Sequence, residues 1–457
     1  MNRNLFCKAL LLCVLIKLSG TTGWAQVHSS WDLVDNKFTS PEGHSATLTL
    51  TNRGTTVVNA GWKLYFNTIF ISIRSQSLEP KLSIKHLQGD FFVWEGETPS
   101  LKPNESFSLS YRSSGTFLKN AYPPEGLIFL HADGKGEEIS QYQKEVITEA
   151  NLVELAEGTS FPMTSSAQRY AENRELFPLP DQSIPPYLPS PKSWKYTGST
   201  LSLSPGTIQV EGAVSFEKAK EYLEATLKNG FSSKTSGKAP ALKIRLEQVA
   251  SLPKEGYTLK TTSDQVLIQA STTTGALYGV NSFLALLPPA FWKDGVQELV
   301  LPQVEIEDAP AFGYRGFFLD VARNFQSKEQ VFKLLDLMSF YKLNVFHFNL
   351  ANDEGWRIEI PGLPELTELG GRRGFSVDES EFLWPYYASG ADPKKSPSGT
   401  GFYTAADFQD ILTYAKDRNI EVIPELGVPA HSRAAILAME KRYGTFMKAG
   451  KEKEALA

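Results

Sequence analysis

GYRGFFLDVARNFQ (residues 313–326), NVFHFNLANDEGWRIEI (344–360) and NIEVIPELGVPAHSRAA (419–435) repeat one plan: a short apolar run, a charged loop, then a helical pattern. The runs Tyr314–Asp320, Asn344–Leu350 and Ile420–Glu425 are nearly continuous in apolar residues, as expected of parallel strands covered on both faces. After Ser327, with Gln330 three positions on, Val331, Leu334, Leu335 and Met338 recur with helical spacing; after Thr404 and Asp407, so do Phe408, Ile411, Leu412 and Ala415. Ser432 is expected to cap a third helix bearing Ala435, Ile436 and Met439. Strand and helix alternating in this order predict right-handed parallel crossovers, in a β/α barrel or a doubly wound sheet.

The polar residues gather where such folds bind ligands. Asp320 and Arg323 follow the first strand, Asn352, Asp353, Glu354 and Arg357 the second, and Glu425 and His431 the third, all at carboxyl ends. His347, inside an apolar strand, is expected to be a buried structural residue whose ring nitrogens find partners. The segment 361–400 is too long for an ordinary connection, and its attachment to the same rim predicts a lid or a wall of the cleft.

Residues 186–308 alternate strands near 207–210, 242–247, 257–262 and 265–270 with helices over 215–228 and 273–287, an α+β layer. Residues 151–185 form a linker, partly helical and then rich in proline. Residues 26–150 show short strands punctuated by turn residues, a β-sandwich in which Trp62, Tyr65 and Trp94 are either core or a sugar-stacking platform. Residues 1–25 combine Arg3 and Lys8 with an apolar segment and a small-residue site at Ala25, a secretory signal that predicts a secreted or periplasmic protein. Both cysteines, Cys7 and Cys13, fall within it, so the processed chain is expected to hold no thiol. A net charge of −5 without a basic stripe argues against nucleic acid or an anionic membrane as partner. No motif for a cofactor or a metal is present: the barrel-like segment has only His347 and His431, with neither HxH nor HExxH. No pattern specifies an oligomeric state.

Three stretches, GFFLDVARNFQ (316–326), NVFHFNLANDEGWRIEIPGLPELTELGGRR (344–373) and IEVIPELGVPAHSRAA (420–435), resemble the family 20 glycoside hydrolases, the β-N-acetylhexosaminidases, most closely the chitobiase branch. The resemblance implies a multidomain chain: a carbohydrate-binding-like sandwich, an α+β domain, and over 311–457 the first three βα units of a (β/α)8 TIM barrel. It implies release of terminal β-linked GlcNAc or GalNAc from a small carbohydrate by a retaining, substrate-assisted mechanism. Arg323 matches the arginine that holds hydroxyls of the terminal sugar, and Asp353 and Glu354 match an acidic cluster expected to bind substrate. His431 matches the histidine coupled to the catalytic acid. The alternative for Arg323 is an ion pair with Asp320, for Asp353 and Glu354 solvation or pairing with Arg357, and for His431 a structural role.

The same resemblance places the family's Asp–Glu dyad after a fourth strand, beyond Ala457, so no catalytic residue is assigned within the chain and a truncated, inactive fragment is expected. The competing reading is a catalytically dead secreted sugar-binding or scaffold protein. Departures from the family pattern stand at Asn349, Asn352 and Gly427; loss of a carboxylate at 352 is expected to weaken any carboxylate–histidine relay.

Overall fold

The computed structural model describes residues 26–39, 42–68, 76–114, 117, 119–155, 164–174, 180, 183–204, 208–231, 242–293, 295–296 and 298–456. The signal-like segment, with both cysteines, lies outside them. The chain divides into two compact units, residues 1–174 with 373–399, and 175–372 with 400–457.

Among the described residues of the first unit, ten strands run β1 (Val27–Thr39), β2 (Glu42–Asn52), β3 (Lys63–Asn67), β4 (Gln76–Ser77), β5 (Leu82–Gln88), β6 (Phe91–Gly96), β7 (Ser106–Ser114), β8 (Glu125–Leu130), β9 (Gly136–Glu138) and β10 (Tyr142–Lys144). They form two sheets, ordered β10-β1-β2-β7-β4 and β5-β6-β3-β8-β9. Alternation along β3 sends Leu64 and Phe66 into the core, alongside Trp31, Trp62, Trp94, Leu48, Leu109 and Phe129. Trp62 and Trp94 are at most 1% exposed, and Trp62 Nε1 donates to Pro99 O at 2.8 Å. The sugar-stacking platform is therefore ruled out, because these rings are spent on the core.

Tyr65 points the other way, yet it too is buried. With Phe91, Val93, Ile128 and Leu130 it makes an apolar outer face, on which Phe375, Trp384 and Ala391 of the 373–399 segment pack. Phe375 meets Tyr65 edge-on at 4.8 Å, and a Cβ on Gly136 would lie 3.2 Å from the Phe375 ring, so a glycine lets that ring approach the β8–β9 hairpin. Polar clasps complete the seat: Asn67 Nδ2 donates to Pro385 O (3.0 Å), Tyr387 N to Asp90 Oδ2 (2.9 Å) and Ala391 N to Glu138 Oε2 (3.3 Å). The middle of the segment expected as lid or cleft wall is thus seated on the sandwich; apolar area at Phe375 and Trp384 decides its place.

Burial pushes the Asp90 carboxyl up to about 6, against the Tyr387 and Asn67 donors and the Arg373 guanidinium, which all favour the charged form. A carboxyl whose folded pKa is raised stabilises the fold below its unfolded value, about 4, and loses that contribution as pH rises through about 6. The first unit should therefore lose on the order of 2–3 kcal/mol between pH 4 and 7 relative to Asp90→Asn, which has no proton to release. Chemical denaturation of both proteins across that range checks it; parallel pH profiles would refute the assignment.

The second unit begins with a six-stranded sheet, made of β11 (Ser193–Leu203), β12 (Ile208–Gly212), β13 (Leu242–Gln248), β14 (Tyr257–Thr261), β15 (Gln265–Ala270) and β16 (Leu299–Asp308), ordered β11-β16-β14-β15-β13-β12. Helices Glu217–Gly230 and Thr273–Ala285 pack with it around one core. A Cβ on Gly279 would sit 2.5 Å from Ile268 Cγ2, so the second helix lies unusually close to the sheet. Its buried Asn281 donates to Ser339 O at 2.9 Å on the helix Lys328–Phe340 of the next domain.

There β17 (Gly316–Asp320) and β20 (Glu421–Leu426) flank β18 (Val345–Asn352) in parallel, with Asp320, Asn349 and Glu425 in register. A two-residue β19 (Gly355–Trp356) folds back antiparallel on β18, a hairpin not foreseen from the sequence. Phe346, Phe348 and Leu350 face Val331, Leu335 and Met338 of helix Lys328–Phe340 and Ile411 and Ala415 of helix Ala405–Lys416. Ser327 and Thr404 make capping boxes with Gln330 and Asp407. Ser432 does not cap the helix Arg433–Lys448: its hydroxyl turns back to Gly427 O at 2.9 Å. No helix among the described residues is long and apolar enough to cross a membrane.

Candidate active site

The parallel register brings the three charged loops together at one edge of the sheet. Asp320, the last residue of β17, takes the Arg323 backbone N–H at 3.0 Å on Oδ1 and Arg323 Nη1 at 2.7 Å on Oδ2. Arg323 Nε lies 3.2 Å from Glu354 Oε2. Two carboxylates from neighbouring loops therefore aim one guanidinium, and both the ion pair and the substrate-binding geometry expected for Arg323 are compatible with it. Glu354 is only 7% exposed, so it supports Arg323 from beneath rather than standing in solvent.

Asp353 turns the opposite way. Its Oδ2 is 3.0 Å from His431 Nδ1 and its Oδ1 accepts the Arg433 backbone N–H at 2.9 Å. The carboxylate that faces the imidazole is Asp353, while Asn352 is buried in β18. His431 has φ +55, a conformation costly for a residue with a side chain. The short loop after β20 must turn tightly to hold that ring toward Asp353.

One expectation fails in detail. His347 is half-exposed rather than buried, and its Nε2 meets Glu425 Oε2 at 2.6 Å across the strand pair, with Phe318 edge-on at 5.0 Å. Arg357 is fully buried and donates to the carbonyls of Val321, Ala322, Gly371 and Gly401. The apolar residues around Arg357 in sequence gave no hint of those carbonyls, which converge only in the folded loops. Arg433, half-buried beside Asp353 and Glu354, was likewise absent from the sequence reading. Among the described residues no three His, Cys, Asp or Glu side chains form a group that could hold a metal ion.

The chain is similar to known proteins. Residues 312–456 match the catalytic domain of glycosyl hydrolase family 20, and residues 185–309 match domain 2 of the same family. The chain belongs to glycosyl hydrolase family 20. Among family relatives, a β-hexosaminidase of Vibrio vulnificus is 32% identical over 88% of this chain and 48% of its own length. The N,N'-diacetylchitobiase of Vibrio harveyi is 48% identical over 45% of this chain and 22% of its own length. Among solved structures, the family 20 exo-β-N-acetylglucosaminidase of Vibrio harveyi in complex with N-acetylglucosamine superposes with a TM-score of 0.70 at 26% identity, covering 91% of this chain and 59% of that one. The chain spans about half the length of the Vibrio vulnificus relative and of the solved Vibrio harveyi structure.

Proposed function

We propose that this chain is part of a β-N-acetylhexosaminidase that removes terminal β-linked N-acetylhexosamine, GlcNAc or GalNAc, from chitobiose and similar glycans. The observation that carries it is Arg323, aimed from a strand end by Asp320 and Glu354, with the Asp353–His431 pair on the adjoining loops. A guanidinium fork donates parallel hydrogen bonds to adjacent sugar hydroxyls, and an imidazole backed by a carboxylate can orient or tune a neighbouring acid. In substrate-assisted retention the substrate's acetamido oxygen attacks the anomeric carbon, so the protein's work is to grip the sugar, orient that group and protonate the leaving oxygen.

In this reading β17, β18 and β20 are three strands of a (β/α)8 barrel. The acetamide-orienting Asp and the acid Glu belong to a further βα unit outside the 457 residues, and residues 1–25 direct the protein to the periplasm or the exterior. Sequencing downstream of the Ala457 codon tests the first two statements, and an unbroken stop codon there would favour a sugar-binding or scaffold role. In an active parent enzyme, Arg323→Ala should lower kcat/KM about 10- to 100-fold, mainly through KM, the size of lost hydrogen bonds from a charged group. Unchanged kinetics would remove Arg323 from the sugar site.

A further inference from the structure

Arg357 is buried to 0% exposure, and its guanidinium joins three separate pieces of backbone. Nε donates to Val321 O at 3.1 Å and Nη2 to Ala322 O at 3.0 Å, the two carbonyls immediately before Arg323. Nη1 donates to Gly371 O and to Gly401 O, both at 3.0 Å, on the two stems of the 373–399 segment. The stems are joined to each other by Gly401 N to Gly371 O at 2.9 Å, and Tyr403 N reaches Arg357 O at 2.8 Å.

The cradle is built for this side chain. A Cβ on Gly355 would fall 2.5 Å from Ala322 O and 2.8 Å from Arg357 Cζ, and one on Gly401, at φ +150, would fall 2.2 Å from the Phe325 ring. That ring lies 5.7 Å from the guanidinium, a cation–π distance. Only a flat, wide fork of fixed donors reaches carbonyls on opposite sides at once; a lysine ammonium concentrates its donors at one point.

We propose that Arg357 is a positioning residue, one that locks the loop bearing Arg323 and the two strands of backbone at Gly371 and Gly401 into a single piece, so that sugar affinity at Arg323 depends on how those two stems are held. The proposal rests on the reading of Arg323 as a sugar-binding residue. The carbonyls of 321 and 322 set the peptide planes from which Arg323 departs, while Asp320 and Glu354 only complete its aim. Loosening the stems therefore releases Arg323 without touching it.

The test compares the 457-residue chain with Arg357→Lys and with Phe325→Leu, a milder change should the lysine variant fail to fold. Amide hydrogen exchange is expected to rise together in 321–326 and in the stems around 371 and 401 for either variant, with the helix Lys328–Phe340 unchanged. Affinity for N-acetylglucosamine is expected to fall roughly 10-fold in Arg357→Lys, and the same substitution in an Arg323→Ala background should add nothing. Faster exchange in the stems alone, or an equal loss of affinity in the Arg323→Ala background, overturns the proposal. Absence of N-acetylglucosamine binding by the unsubstituted chain would count against the sugar-site reading instead, while the exchange result still decides whether Arg357 couples the two loops.

Discussion

Incubated with a chromogenic N-acetyl-β-glucosaminide, the 457-residue chain is expected to release no more chromophore than a blank. General acid catalysis alone is worth about 10²- to 10⁴-fold, and the proposed reading places both the acid and the acetamide-orienting carboxylate outside these residues. The adjacent Asp353 and Glu354 do not replace them, although they too are an Asp–Glu pair. Glu354 is buried against Arg323, and Asp353 is committed to His431 and to the Arg433 backbone. A general acid needs a transferable proton and reach to the leaving oxygen. Carboxylates engaged in this way serve as supports. Turnover that survives removal of contaminating host enzyme, and that falls on Glu354→Gln, would show that this pair is the acid after all.

Replacing Phe91 by alanine should cost the first unit about 3–5 kcal/mol, as for other fully buried aromatic rings. Phe91 is 0% exposed, stacks on Tyr65 at 5.8 Å and lies 5.7 Å from Trp384 of the 373–399 segment, so it serves both the sheet and its cover. Trp94→Ala, in the core between the sheets, should cost a similar amount without freeing that segment. Denaturant titration gives the two stabilities, and limited proteolysis separates the sites. Early cleavage within 373–399 is expected for Phe91→Ala at conditions where Trp94→Ala is still resistant there. Equal protection of the segment in both would mean that its polar clasps to Asn67, Asp90 and Glu138 hold it without the ring.

The local sequence was enough for the repeated βα plan, because parallel strands and their helices bury residues at periods that short-range pattern reveals. Ser327 with Gln330 and Thr404 with Asp407 capped their helices as read, since a capping box is made entirely by residues three apart. Where the pattern was broken, reading failed: β11 carries Gly198 at φ +81 beside a register shift, and β16 carries Pro302, so neither resembled a strand. Ser432 had the right residue type, but its hydroxyl found Gly427 O instead.

Of the charged residues of the site Arg433 was missed, whereas Arg323, Asp353, Glu354 and His431 were visible and do gather at the carboxyl ends of the strands. The ion pair of Arg323 with Asp320 was among the expected alternatives and is present, but the partners of Asp353, Glu354 and His431 were not visible, because pairing depends on which way each side chain leaves its loop. Asp353 and Glu354 are neighbours in the chain, yet one turns to His431 and the other to Arg323. Trp62 and Tyr65 are three apart and read alike as aromatic, but one faces the core and the other an outer face covered from more than 300 residues away by Phe375. Residue pattern alone was enough for the βα alternation, the two capping boxes and most of the polar groups at the strand ends. The seat of the 373–399 segment and the carbonyl cradle of Arg357 came from folding, since apolar cover and converging backbone oxygens exist only once distant segments have met.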